Sequence, residues 1–183
     1  MGPYDRDIFP ENALQGFVMG RMVFITNNPD FAWLVHPKLE TVFLEHGSSL
    51  DVLTMARDRV HLGWRLLHHP LYGNIRPHLQ PFRSALLSLP KNRDENGAPG
   101  TVDPYSLDLI ANAVAIYEEE KDRLSFPWSV PISMRADCAF LDQELMRETL
   151  AFAGLPSRSL ASTREARTEP LKPAASRGEE GTP

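Results

Sequence analysis

Cysteine is nearly missing from this chain: Cys138 stands alone among 183 residues. One thiol excludes an internal disulfide, a Cys-x-x-Cys redox pair and a cysteine-rich zinc site. Long apolar runs are missing too. Nothing approaches the roughly 20 residues that cross a bilayer as a helix. No basic-then-apolar signal opens the sequence, so a cytoplasmic address is expected. A basic excess is also lacking. Nineteen Lys and Arg face 24 Asp and Glu, a formal net charge of -5, which argues against nucleic acid as a partner. The motifs of common phosphate and acyl chemistry do not occur: no G-x-x-x-x-G-K-[ST], no G-x-G-x-x-G after a strand, no G-x-S-x-G elbow.

What remains is enough for one folded unit. At 42% hydrophobic the chain can build a core. Residues 1–20 read as an irregular leader. Residues 157–183 are small, proline-bearing and mixed in charge, without an aromatic, and are expected to be a disordered tail. Between them, 21–156 reads as a single α/β domain.

Met22 to Ile25 is a short apolar run ended by Asn27-Asn28-Pro29, which suits a strand buried on both faces. A brief helix over DFAWLVHP follows, then a second strand from Thr41 to Glu45. Ser48 with Asp51 three residues on predicts a capping box. Leu53, Ala56 and Val60 keep helical spacing, and Gly63 supplies the stop. Arg65 to His68 reads as a third strand and PFRSALLSLP as a fourth. Asp103-Pro104 opens a helix with apolar positions at Leu107, Ile110, Ala111, Val114 and Tyr117. A last helix, capped by Asp137, runs through Leu141, Leu145 and Phe152 to Gly154. Strands alternating with helices predict a small, mostly parallel sheet of about four strands, with helices on both faces, C-terminal helices and the tail.

In such a sheet the loops after the strands gather on one rim, where ligands bind. Three polar loops meet there by this reading: TNNP, HGSS, and HHPLYGNIRP from His68 to Pro77. The candidate ligand-binding residues are Thr26, Asn27, Asn28, Ser48, His68, His69, Gly73 and Arg76. His69 is the candidate acid/base, because imidazole titrates near neutrality. Each has a plainer reading. Asn side chains satisfy turns, a Ser before a helix is a cap, and Arg76 and Arg83, two cations that could meet an anionic ligand, otherwise decorate surfaces. Arg57, Asp58, Arg59 and His61 read as a solvated helix face. Cys138, near the start of the last helix, reads as a structural thiol rather than a nucleophile. A metal set of His46, one of His68 or His69, and His78 would need three separated loops to converge, and neither metal nor other cofactor is expected.

Order and spacing over Met22 to Leu87 resemble the GrdX family. The residues carrying the resemblance are Thr26-Asn27-Asn28-Pro29, Arg57-Asp58-Arg59-Val60-His61-Leu62-Gly63, Leu66-Leu67-His68-His69-Pro70-Leu71-Tyr72-Gly73, Arg76-Pro77 and Pro81-Phe82-Arg83-Ser84. His78-Leu79-Gln80 departs from the polar residues that family members often carry there. The resemblance implies association with the glycine, sarcosine or betaine reductases of amino-acid-fermenting bacteria, which are selenoprotein systems; it supplies no mechanism. Two functions follow. One is an accessory protein, binding a small anion or a reductase component at the three-loop rim without turnover. The other is a small enzyme for an anionic or carboxylate substrate, with His69 as acid/base and Asn27, Asn28 and Arg76 orienting the substrate.

Overall fold

A computed structural model of the chain describes residues 19–90 and 102–157. Among these residues four strands form one sheet: β1 (Met19–Thr26), β2 (Leu39–Phe43), β3 (Arg65–Leu66) and β4 (Ser84–Pro90), in the order β2-β1-β4-β3. Among the described residues three α-helices accompany it: α1 (Ser49–His61), α2 (Pro104–Glu119) and α3 (Ile132–Phe152). The expected loop over 91–100 lies outside the described residues, as do the leader and tail apart from Met19, Gly20 and Ser157.

The α/β class, the four strands and the helices on both faces hold. The sheet is mixed, however, rather than mostly parallel. β1 and β2 run parallel, while β4 lies antiparallel to both β1 and β3. Residues 67–83 turn the chain back without a crossover helix, and β4 slots between β1 and β3. Ser84 to Leu89 are all buried, so the run carries no alternation and its direction leaves no trace in the pattern.

Two apolar layers sandwich the sheet. Val23, Ile25, Ala85 and Leu87 face one layer with Val52, Leu53, Ala56 and Val60 of α1 and Ile110, Ala113 and Tyr117 of α2. Met22, Phe24 and Leu86 face the other, with Met146 and Leu150 of α3 and with Phe31 and Leu34. The caps expected for α1 and α2 form. Ser48 and Asp51 complete a reciprocal box, with Ser48 N–H donating to Asp51 Oδ2 at 2.7 Å and Asp51 N–H to Ser48 Oγ at 3.1 Å. Asp103 accepts the Ser106 N–H at 2.9 Å.

Other boundaries differ. The segment after β1 makes only a 3₁₀ turn, Pro29–Phe31, and β2 starts earlier than Thr41 and ends before Glu45. On α2, Ala111 is exposed and Ala113 takes its place in the core. The last helix begins at Ile132 behind Pro131, not at Asp137, so Cys138 sits beyond the first turn. Its buried stripe is Ala139, Asp142, Met146 and Leu150, while Leu141 and Phe152 are exposed.

At Gly63 the chain leaves the helix with φ +89°, a left-handed conformation that suits glycine. Two residues later β3 begins. Because β1, β2 and β3 all oppose or flank β4 in the same sense, their carboxyl ends share one rim with the amino end of β4.

Ser88 is fully buried in β4, and its hydroxyl has no hydrogen-bond partner among the described residues. A stranded hydroxyl costs its desolvation without return. Ser88→Ala is expected to raise the unfolding free energy by about 1 kcal/mol, read as a higher urea midpoint at unchanged slope.

Candidate functional site

The rim is built around a carboxylate. Asp142 of α3 is 3% exposed and receives three donors. Asn28 Nδ2 donates to its Oδ2 at 3.0 Å and Ser84 Oγ to the same oxygen at 2.8 Å, while the Tyr72 hydroxyl donates to Oδ1. The donors arrive from three places in the chain: the end of β1, the start of β4 and the loop after β3. Each is occupied further. Thr26 Oγ1 lies 2.8 Å from Ser84 Oγ; with the Ser84 proton committed to Asp142, Thr26 is the donor there. Thr26 Oγ1 accepts the Asn28 N–H at 3.0 Å, and the Tyr72 hydroxyl accepts the Ser84 N–H at 2.9 Å.

Both asparagines are saturated. Asn27 donates to Gly47 O at 3.0 Å and Pro81 O at 2.8 Å, and its Oδ1 accepts the Arg83 N–H at 2.8 Å. Asn28 also donates to Ala139 O at 2.8 Å, and its Oδ1 accepts the Asp30 N–H at 3.0 Å. A carboxamide has two donor hydrogens and one acceptor oxygen. These side chains therefore tie the loops after β1 and β2 to the entry of β4 and to α3.

A buried cation answers the buried anion. Arg83 is 1% exposed, contrary to a surface reading. Its guanidinium donates to Pro70 O at 2.8 Å, to the Tyr117 hydroxyl at 2.6 Å and to Gln80 Oε1. It also lies 4.5 Å from the centroid of the Tyr72 ring. Tyr72 thus stands between the two charges, its face toward Arg83 and its hydroxyl on Asp142. Burial pushes the Asp142 carboxyl upward in pKa, opposed by the bonds from Tyr72, Asn28 and Ser84 and by the charge of Arg83. Burial and the Asp142 charge carry Tyr72 well above the phenol range, so the phenol keeps the proton it donates.

The two histidines have different fates. His68 is buried, with Nε2 accepting the Leu86 N–H at 3.1 Å and Nδ1 lying 3.0 Å from His69 O. Only a neutral ring protonated on Nδ1 satisfies both contacts. Its pKa is lowered to about 4, chiefly by burial. His69 is half-buried, and its Nδ1 accepts the Leu71 N–H at 3.0 Å. Burial, and then the charge of Arg83, lowers its pKa. Its neutral ring consequently carries the proton on Nε2 and offers a donor.

The helix start at HGSS is likewise occupied. The carboxylate of Asp51 sits on the Ser48 N–H and hydroxyl, and Ser49 Oγ donates to Gln80 O at 2.5 Å. The position where an external anion would bind is filled by the helix's own acid. Gly73, exposed at φ +82°, turns the third loop; a Cβ there would come 2.7 Å from Leu145 Cδ1. Arg76 and His46 are exposed, whereas His78 pairs with Glu120 at 2.6 Å. Among the described residues no group of three His, Cys, Asp or Glu is placed to hold a metal. Burial and then Asp137 push the Cys138 thiol upward, away from the thiolate.

Of the expected site residues, the rim gathers Thr26, Asn27, Asn28, Ser48 and His68 as buried bracing, and leaves His69, Gly73 and Arg76 toward its outer surface. Asp142, Tyr72, Gln80 and Tyr117 were not among the expected residues. Asp142 leaves only a weak trace, a charge on the stripe Ala139, Met146, Leu150. A family model described as GrdX-like protein matches residues 23–151. The chain belongs to this family. The matched span runs past Leu87, where the motifs of the resemblance end, and takes in α2 and the Asp142 turn of α3. Searches of curated proteins and of solved structures return no match.

Two outcomes are expected for this GrdX-like core. Tyr72→Phe keeps the ring over Arg83 but strands the Ser84 N–H and removes a donor from Asp142; it should cost about 2–3 kcal/mol in chemical denaturation. His68, with its folded pKa below the unfolded 6.5, stabilises the fold fully above pH 6.5. That contribution drains away as pH falls toward 4, because the unfolded chain takes up a proton that the folded one refuses. The loss across the window is about 3 kcal/mol. The difference between the stability–pH curves of the wild type and His68→Gln should show this slope.

Proposed function

We propose that the chain is a non-catalytic accessory protein of a selenoprotein-dependent glycine, sarcosine or betaine reductase system, and that it docks a reductase component through the outer surface of the rim. Membership of the GrdX-like family supports the association. The observation that carries the docking reading is the saturation of the rim: the amide and hydroxyl groups that would grip a substrate are already bonded to one another and to Asp142. Such a network makes a stiff platform. On its outer side the third loop presents the His69 ring, the exposed Gly73-Asn74 turn and the Arg76 guanidinium. A cation and a neutral donor on a rigid loop suit an acidic partner surface, or a small anion carried by that partner. A cytoplasmic location fits this reading.

The rival reading makes His69 the acid/base of a small enzyme. As a base it would have to abandon the Leu71 N–H, since Nε2 holds the proton. The geometry therefore favours donation and docking over proton abstraction.

The test is affinity capture from a bacterium that reduces glycine or betaine, with the tagged wild type beside Arg76→Glu. Arg76 is exposed, so the variant should fold and melt like the wild type. Recovery of reductase components is expected to fall tenfold or more, in line with about 1.4 kcal/mol or more of lost docking energy. Equal recovery by both proteins would remove the rim from the interface. No recovery at all, with glycine and betaine reduction unaffected by gene deletion, would remove the function. A turnover abolished by His69→Ala would put the enzyme reading in its place.

A further inference from the structure

α3 carries a second apolar stripe besides the one it buries. Met134, Cys138, Leu141, Leu145 and Phe152 follow alternating steps of four and three residues, with Glu148 in the one remaining place of the series. That is the 3.5-residue repeat of a seam suited to lie along another helix. The spacing of Leu141, Leu145 and Phe152 in the sequence thus belongs to a different face from the one turned to the sheet, where Ala139, Asp142, Met146 and Leu150 are buried. At about 100° per residue the two stripes diverge by roughly a third of a turn. The seam has no cover among the described residues. Met134, Leu141 and Phe152 are 56%, 42% and 50% exposed, and Cys138 and Leu145 are half-buried. An aligned strip over about five turns differs from apolar residues scattered singly, and marks a surface of interaction.

The two edges of the seam differ. Along one stand Asp137 and Glu144, with Glu148 in the seam beside them. Glu144 pairs with Arg147 of the same helix at 3.4 Å, whereas Asp137 and Glu148 are exposed and form no ion pair among the described residues. Along the other edge Leu145 packs against Gly73, so the Gly73–Asn74 turn makes a low wall and joins the seam to the docking loop. The acids select the occupant. Two copies of α3 laid antiparallel would set acidic edge against acidic edge. Laid parallel, the acids would meet Cys138 and Thr149, which offer no cation. A lipid surface, itself anionic, is repelled by the same acids. A helix with its own apolar stripe and lysine or arginine along one flank satisfies both the seam and its edge.

We propose that α3 docks an amphipathic helix of a partner protein, its basic flank on Asp137, Glu144 and Glu148 and its other flank against the Gly73–Asn74 turn. That the partner is a reductase component rests on the docking reading above; the seam and its preference for a basic helix do not.

Fluorescence anisotropy of the full chain tests the seam by itself. The probes are two labelled peptides of 21 residues, the length of α3, with leucine at the seam positions and either lysine or glutamate on the flanks. The lysine peptide is expected to bind with a Kd below roughly 100 μM, and the glutamate peptide at least tenfold more weakly. Leu141→Lys should weaken the lysine peptide tenfold or more; should that variant fail to fold, Phe152→Lys decides. Asp137→Lys with Glu148→Lys should reverse the preference between the peptides. No binding of the lysine peptide at roughly 1 mM, equal binding of both peptides, or binding indifferent to Leu141→Lys and Phe152→Lys would overturn the proposal. So would a dimer in sedimentation that Leu141→Lys dissolves, since a second copy would then occupy the seam. In the affinity capture, Leu141→Lys is expected to recover reductase components at least tenfold less than the wild type. Equal recovery beside a loss in Arg76→Glu would leave the rim in place and remove the reductase helix from the seam. No recovery by the wild type would remove the reductase as partner, and the peptides would then decide the seam alone.

Discussion

One carboxylate holds the architecture together. Asp142 lies in an apolar layer where an unsolvated charge would be prohibitively costly, and three donors from separate parts of the chain make it tolerable there. The dependence runs both ways. Asn28, Tyr72 and Ser84 are themselves buried or nearly so at the ends of strands and in a loop, and without Asp142 the Tyr72 hydroxyl and one Asn28 N–H would lose their acceptor. The carboxylate therefore dictates where the loops after β1 and β3 lie relative to the start of β4 and to α3. Hydrophobic packing alone would hold α3 against the sheet through Met146 and Leu150, but it would permit sliding. The hydrogen bonds select one position. Arg83 plays the corresponding part on the other side of the Tyr72 ring, drawing Pro70, Gln80 and Tyr117 of α2 to the same centre.

This arrangement explains why a surface loop rich in glycine, proline and histidine can be stiff. HHPLYGNIRP has little regular structure of its own, with 3₁₀ turns at Tyr72–Asn74 and Pro77–Leu79. It is fastened instead by side chains: His68 caps the Leu86 N–H, Tyr72 bridges the sheet to α3, and Pro70 O receives Arg83. Exposed residues between these anchors inherit their rigidity. A docking surface gains from this, since little order has to be imposed when a partner arrives.

Much of this was legible in the sequence where local chemistry decides structure. The Ser48–Asp51 box, the Asp103 cap and the Gly63 reversal are short-range devices, and each forms as its residues dictate. The sharing of one rim by the loops after β1, β2 and β3 followed from the order of elements. The direction of β4 did not follow, because a strand buried on both faces has no period to read. The last helix failed for a related reason. Leu141, Leu145 and Phe152 sit at helical spacing, yet the buried stripe is one residue out of phase with them and passes through an aspartate. A periodicity reading sets every charge in water; only knowledge of the three donors, which lie from 58 to 114 residues away in sequence, turns Asp142 inward. Arg83 was misplaced on the same ground.

The same logic separates braced polar residues from available ones in this chain. A polar residue in a loop can serve either purpose, and its type does not say which. What decides is whether its hydrogen-bonding capacity is already spent. Asn27 and Asn28 have no donor left over, and the Ser48 cap is closed by Asp51. Arg76, three residues beyond the Gly73 turn, keeps its guanidinium at the surface. A short sequence motif can thus contain both kinds of residue in alternation, with the buried ones setting the shape and the exposed ones left at the surface. On this view Tyr72-Gly73 is one unit: the tyrosine reaches inward to Asp142, and the left-handed glycine beside it turns the loop outward, close against Leu145 of the same helix.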